Sequence, residues 1–386
     1  MRRKKALFLL NNLPHESTAG GKLYNQIMES YGHENISIFS FSSSVKNEGS
    51  CKKNTTLFSL DFSVSNFFIL KVFKKIPFVE VIYSLIRYFS LRKKVVRSAV
   101  AKIKPEIVFV QLRGNPLFIV NYIIDNLNVP IIGMIEDTVE REKDGSFFSY
   151  KIKINLYYKA IPRMLKIGVA GETFKKYIES NFKIEAYILR PWYEKSFSNK
   201  ELNNNIKIFF GGNLYAKKEF YRFLSALDLF SKANQSIAIN FIVATKNKIN
   251  YKPRFYEITE LGWVSEQMLD RHIKECHISY LPYIFDSKFE HSMTYAFPGK
   301  AGYYISNNLP ILFHGPIYSS FNFFLKTNKV GVSCSSLQLN EIVKSISELI
   351  YDAEKYNAFQ KDIDRVYTLE YSQDQFDRKV NKIFKI

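Results

Sequence analysis

Tyr295-Ala296-Phe297-Pro298-Gly299-Lys300-Ala301-Gly302-Tyr303-Tyr304-Ile305-Ser306-Asn307-Asn308-Leu309-Pro310-Ile311-Leu312 decides how the rest of the chain is read. Pro298 suits the opening of a helix, where its missing N–H would have no partner anyway. The spacing predicts a short helix over Lys300 to Asn307. Asn307-Asn308 tolerates the left-handed conformation that stops such a helix. Pro310 then opens a buried strand, Ile311-Leu312-Phe313. A helix N-terminus presents free N–H groups and partial positive charge, and Lys300 adds a full charge. An anion, most simply a phosphate, fits that arrangement. The same residues also fit an ordinary helix start with a solvated lysine.

Outward from this stretch the pattern is α/β. Upstream lie a strand at Ile206 to Phe210, then Gly211-Gly212-Asn213, then a helix from about Lys217. A strand follows at Ser236 to Ala244, and then the stretch Ile258 to Val264, which holds Gly262-Trp263-Val264. A helix carries Met268, Leu269 and Ile273, a strand covers His277 to Tyr280, and Asp286 to Tyr295 reads as a loop. Val330-Gly331-Val332 is a last short strand. Leu337 to Phe359 is helical, and Tyr371 to Phe384 is an amphipathic terminal helix.

The first half opens in the same way. The strand read at Lys5 to Leu10 is apolar from Ala6 on, as in a strand buried in a parallel sheet. A polar loop containing His15 leads to Gly20-Gly21, and Leu23, Ile27 and Met28 then recur at helical spacing. The pattern lacks Gly-x-Gly-x-x-Gly, so the dinucleotide fingerprint is absent. Further strands are expected at Asn35 to Phe41, Glu106 to Gln111, Val129 to Ile135, Ile167 to Ala170 and Ala186 to Leu189. The strand at Val129 ends on Glu136-Asp137, and carboxylates just past a parallel strand point into the ligand crevice. One of the two also fits a helix cap. Arg190 to Asn205 is polar and reads as a linker. Two strand–glycine–helix beginnings imply two similar halves.

Composition narrows the partners. The chain has 386 residues, which suits two domains, and 46% hydrophobic residues, which suits packed cores. Its formal charge of +19 calls for an anionic partner or surface. Cys51, Cys276 and Cys334 are scattered, forming neither a metal spacing nor a disulfide framework, as expected for a reducing cytosol. No apolar run is long enough to span a bilayer. From Phe62 to Lys104, aromatics and branched aliphatics interleave with ten Lys or Arg from Lys71 on, against one acid, Glu80. That stretch reads either as amphipathic helices packed on the domain or as a basic surface lying on an anionic membrane. The membrane reading, through residues 62–104, places the protein on the cytoplasmic face.

The ordered set Phe-Gly-Gly-Asn with following lysines, Gly-Trp-Val, Leu-Pro, Phe-Pro-Gly-Lys, Leu-Pro-Ile-Leu and Val-Gly-Val resembles the donor-binding half of GT-B glycosyltransferases. It covers roughly residues 205 to 335. Pro298, Lys300, Tyr304 and Pro310 match the nucleotide-sugar segment in order and spacing. Gly299 replaces its usual Ser, and Tyr303 replaces the Glu that holds the donor ribose. The first half resembles the acceptor half more loosely, through Gly20, Gly21 and the acid at Asp137, with Glu136 in the place of a His. The resemblance implies two Rossmann-like domains facing a cleft, at 1–190 and 206–370, with 371–386 crossing back to the first.

The resemblance also implies transfer of a sugar from a nucleotide sugar to a glycan or lipid-linked glycan, as in bacterial surface polysaccharide synthesis. Gly211 and Gly212 are expected to let the backbone approach the diphosphate, with Lys217 or Lys218 neutralising it and Lys300 doing the same from the other side. Gly262, Trp263 and Val264 are expected at the base, although Trp263 fits the core as well. If the transfer inverts, the acceptor needs a base, and Asp137, Glu136 and His15, in that order, are the candidates; Arg113 is the candidate to meet an acceptor phosphate. No metal and no cofactor is implied, the nucleotide sugar being substrate. A nucleotide-sugar epimerase of the same fold and a basic nucleic-acid-binding protein are the competing readings. Against the latter, no nucleic-acid module is recognisable.

Overall fold

A computed structural model describes residues 3–14, 19–41, 56–59, 102–139, 147–196 and 200–385. His15, Cys51 and nearly all of the 62–104 stretch lie outside the described residues. The chain divides into two compact units, Met1–Leu189 with Asp377–Ile386, and Arg190–Phe376.

The first unit holds β1 (Ala6–Leu10), α1 (Ala19–Tyr31), β2 (Ile36–Ser40), β3 (Thr56–Ser59), β4 (Ile107–Gln111), α2 (Leu117–Asn126), β5 (Ile131–Ile135), α3 (Phe147–Ala160), β6 (Lys166–Val169), α4 (Glu172–Phe182) and β7 (Ala186–Ile188). Its strands form one parallel sheet in the order β3-β2-β1-β4-β5-β6-β7. All five residues of β1 are buried, as a strand covered on both faces requires. The order reverses between β1 and β4, the kind of point outside whose C-terminal strand ends α/β sheets bind ligands.

The second unit holds β8 (Asn205–Gly211), α5 (Lys217–Ala233), β9 (Ala238–Ala244), β10 (Glu257–Glu260), α6 (Glu266–Ile273), β11 (Ile278–Pro282), α7 (Glu290–Tyr295), α8 (Lys300–Ser306), β12 (Ile311–His314), α9 (Ser320–Asn328), β13 (Gly331–Cys334), α10 (Leu339–Tyr351) and α11 (Ala353–Val366). Its parallel sheet runs β10-β9-β8-β11-β12-β13, again reversing beside the first strand of the half. Strand periodicity divides its core into two layers. Ile206, Ile208 and Phe210 pack with Phe220, Phe223 and Leu227 of α5. Phe209 faces the other way, with Tyr304, Ile305 and Phe313. The rings of Phe223 and Tyr280 stack at 3.8 Å. As the sequence predicts, α8 ends where Asn308 turns left-handed, at φ 54°.

α12 (Gln373–Phe384) belongs to both units, which divide it after Phe376. Its end is held by aromatic packing in the first unit, with Phe384 4.6 Å from the ring of Tyr31 and 5.6 Å from that of Phe109.

Four readings need correction. Gly20 and Gly21 lie in the first turn of α1, not in a loop before it. Most of the stretch read as a loop over Asp286 to Tyr295 is helical, a 3-10 turn at Ser287–Phe289 leading into α7. β3 adds an edge strand that the sequence reading missed. The supposed linker is packed into the second unit. Tyr193 is buried and donates to the carbonyl of Gly299 at 3.2 Å, and the buried Lys200 ammonium donates to the carbonyl of Ile273 at 3.2 Å. The Tyr193 ring also joins the apolar cluster around Phe209 and Tyr304.

Candidate functional site

In the second unit the side chain that stands out is Lys300, the first residue of α8. Its ammonium is buried and, among the described residues, has no hydrogen-bond partner. The nitrogen lies 4.3 Å from the ring centroid of Phe210 and 5.7 Å from that of Tyr215, contacts that a cation makes with aromatic faces. Burial pushes its pKa down to about 7. This is neither the solvated lysine nor the freely presented one that the sequence allows. An unpaired cation held out of water is costly unless a counter-charge arrives.

Gly212 sits against it. At φ 99° this residue has a conformation that favours glycine, and a side chain there would grow to 3.7 Å from the Lys300 ammonium. The N–H groups of the glycine pair are already taken. Gly211 donates to the hydroxyl of Tyr304 at 3.1 Å, and Gly212 to the carbonyl of Ala244 at 2.8 Å. The pair therefore provides clearance rather than free donors. Lys217 and Lys218 are exposed in the first turn of α5, whose cap position, Ala216, offers no side-chain acceptor. Its leading N–H groups get no such cap. Pro298 and Gly299 form the bend into α8, with the carbonyl of Pro298 accepting from Ala301.

Tyr303 points to α6, where its hydroxyl donates to Asp270 at 2.5 Å; burial and then the Asp270 partner raise its pKa. The position thus has an acid nearby, on another helix. Gly262 turns the chain after β10 at φ 68°, leaving Trp263 54% exposed and Val264 half-buried. Trp263 is therefore not core. Its indole carries the Lys246 ammonium 4.3 Å from the ring centroid.

The first unit gathers a second group at the C-terminal ends of β1, β4 and β5. Glu136 follows β5. Its Oε1 accepts from the Tyr24 hydroxyl at 2.7 Å and from Gln111 Nε2 at 2.9 Å. Gln111 is fixed in turn, its Oε1 accepting the N–H of Asn11 at 2.9 Å. The other carboxylate oxygen, Oε2, lies 2.5 Å from where a side chain on Gly20 would begin. Burial raises the Glu136 pKa, opposed by the hydrogen bonds from Tyr24 and Gln111. Asp137 is half-exposed beside it, and Arg113 is exposed near enough to act on both Glu136 and Tyr24. Gly21 is buried within α1. Among the described residues no cluster of His, Cys, Asp and Glu is arranged to hold a metal.

The structure thus groups Lys300 with Gly212, and Glu136 with Gly20. Sequence reasoning missed Tyr24, Gln111, Asn11 and Asp270. Two of these left a signal. Gln111 is the last residue of a strand whose other residues are apolar, and Tyr24 lies four residues after Gly20, on the same helix face.

No protein-family model matches the sequence, and no curated protein matches it. Solved structures do resemble it. One is described as trehalose-6-phosphate from E. coli bound with UDP-2-fluoro glucose, with a TM-score of 0.64 at 10% identity over 99% of each chain. Another is HepE from Anabaena in complex with UDP and glucose, with a TM-score of 0.62 at 11% identity over 98% of each chain. The chain has the GT-B fold. A third likeness is to UGT2 from Phytolacca americana complexed with UDP-2fluoro-glucose and pterostilbene, with a TM-score of 0.58 at 10% identity over 98% of this chain and 99% of that one.

Proposed function

We propose that the chain is a glycosyltransferase that moves a sugar from a nucleoside-diphosphate sugar, UDP-linked as first choice, to a hydroxyl of a glycan. The observation that carries this reading is the buried ammonium of Lys300 beside Gly212, which has no hydrogen-bond partner among the described residues. A departing nucleoside diphosphate gathers negative charge as the glycosidic bond breaks, and a pre-placed cation stabilises that charge without reorganising. Lys217, Lys218 and the leading N–H groups of α5 supply more positive charge nearby. These groups do so without a metal, and the nucleotide sugar enters as substrate rather than as resident cofactor. UDP in the likened structures from E. coli, Anabaena and Phytolacca supports the choice of nucleotide.

Around the diphosphate, Gly262, Trp263 and Val264 receive the base, and Asp270 with Tyr303 offers the carboxylate that ribose hydroxyls take. Glu136 accepts the acceptor's proton. Its raised pKa suits a general base better than an ordinary carboxylate. Asp137 is the second candidate, and Arg113 meets an acceptor phosphate. The basic stretch at 62–104 supports a lipid-linked acceptor presented at an anionic membrane, as in the building of a bacterial surface polysaccharide.

Calorimetry of the purified protein against UDP, GDP, CMP and a short DNA duplex tests this reading. Saturable binding of one nucleoside diphosphate is expected. Tight, salt-sensitive binding of the duplex with no nucleotide binding would overturn the reading in favour of a nucleic-acid-binding protein.

A further inference from the structure

Glu136 is not held symmetrically. Both of its hydrogen bonds, from Tyr24 and from Gln111, converge on Oε1. Among the described residues, Oε2 accepts none. It lies instead over the bare Cα of Gly20, where a methyl group would start 2.5 Å away. A freely rotating carboxylate has two equivalent oxygens, and here the fold distinguishes them. Tyr24 is itself buried, and Gln111 is clamped by the backbone of Asn11, so neither donor is free to follow a turning carboxylate.

We propose that Tyr24 and Gln111 are positioning residues that occupy Oε1 of Glu136 and so commit Oε2 to take the acceptor's proton, with Gly20 kept small to leave Oε2 its place. This inference rests on the reading of Glu136 as the acceptor base. In the step it serves, the acceptor oxygen forms a bond to the sugar's anomeric carbon. The bond from that carbon to the diphosphate oxygen breaks, and the leaving diphosphate keeps the electron pair. The acceptor's proton goes to Oε2. Two donors on the other oxygen hold the carboxylate plane fixed, and a base held in line loses less rate to misalignment.

Among the described residues, the charged and titratable groups that act on this carboxylate are Tyr24 from α1, Arg113 after β4 and its neighbour Asp137. Removing a hydrogen bond to the charged form should therefore raise the carboxyl's midpoint. A bond of that type corresponds to about one pH unit.

The test is a carbon-13 titration of the glutamate side chains in the full-length protein, with the Glu136 signal assigned by its loss in Glu136→Gln. It needs no substrate. In Tyr24→Phe and in Gln111→Leu the midpoint should move up by about one pH unit relative to wild type. With UDP-glucose as donor probe, the acid limb of UDP release should move up by the same amount, and kcat should fall with KM unchanged. Gly20→Ala, which displaces only the end of a side chain, should lower kcat while leaving UDP binding intact. An unmoved Glu136 midpoint in both Tyr24→Phe and Gln111→Leu would overturn the proposal, as would loss of turnover with an unmoved acid limb. Failure of the base reading itself looks different: Glu136→Gln would then keep wild-type turnover, whatever the carbon titration reports.

Discussion

Turnover of Glu136→Gln is expected to fall by about 10²–10⁴-fold, the usual contribution of a positioned general base. Glutamine keeps the length and shape of the side chain, and its amide oxygen still accepts from Tyr24, so the local packing survives. What it lacks is the ability to take a proton. UDP affinity should be unchanged, because the second unit supplies the diphosphate contacts argued above. Asp137→Asn, one residue further on, should cost much less, since the hydrogen bonds from Tyr24 and Gln111 go to Glu136. The sign of the pH dependence follows from the raised carboxyl: the base works when deprotonated, so wild-type activity should be lost as pH falls through that raised value. Steady-state rates of UDP release across pH check both expectations. A turnover that survives Glu136→Gln but fails in Asp137→Asn would restore the order read from the sequence.

That order illustrates what is legible in the letters. The strand ending on Glu136-Asp137 could be placed from its apolar run, so both acids were found. Which of them the fold grips could not, because Tyr24 and Gln111 come from distant parts of the chain. Gly20-Gly21 reads as a turn before the helix, whereas the structure puts both glycines in its first turn: a glycine pair looks the same whether it bends a loop or lies within a helix turn. Lys300 was found from Pro298 and the helix after it. Its burial was not, since aromatic cover from Phe210 and Tyr215 is set by packing between elements rather than by spacing. The stretch after Arg190 reads as a linker for a related cause: its polar composition hides Tyr193, whose ring joins the core, and Lys200, whose buried ammonium donates to the carbonyl of Ile273.

The second large effect concerns Lys300. Lys300→Met should weaken UDP binding by about 10- to 100-fold, the loss that follows removal of one charge-assisted hydrogen bond. The same substitution should not lower the melting temperature of the free protein at pH 7, because a buried ammonium without a partner costs stability and methionine fills similar space. A residue that stabilises nothing and binds a ligand is the signature of a site. The pH dependence agrees in sign. The native lysine titrates near 7 and the unfolded one near 10.5, so between those values the unfolded chain holds more protons and stability rises with pH. Lys300→Met should lose that slope. Thermal melts with and without UDP measure both effects. A large drop in melting temperature with UDP affinity intact would make Lys300 a structural residue.

The central claim, that a diphosphate is the missing partner of Lys300, is tested most directly by counting protons. UDP is titrated into the protein calorimetrically at pH 8, in buffers of different ionisation enthalpy. Free Lys300 is mostly neutral at that pH, and a bound diphosphate holds it charged. The account predicts uptake approaching one proton per UDP in the wild type, and none in Lys300→Met. Tight UDP binding with no proton uptake in the wild type would contradict it.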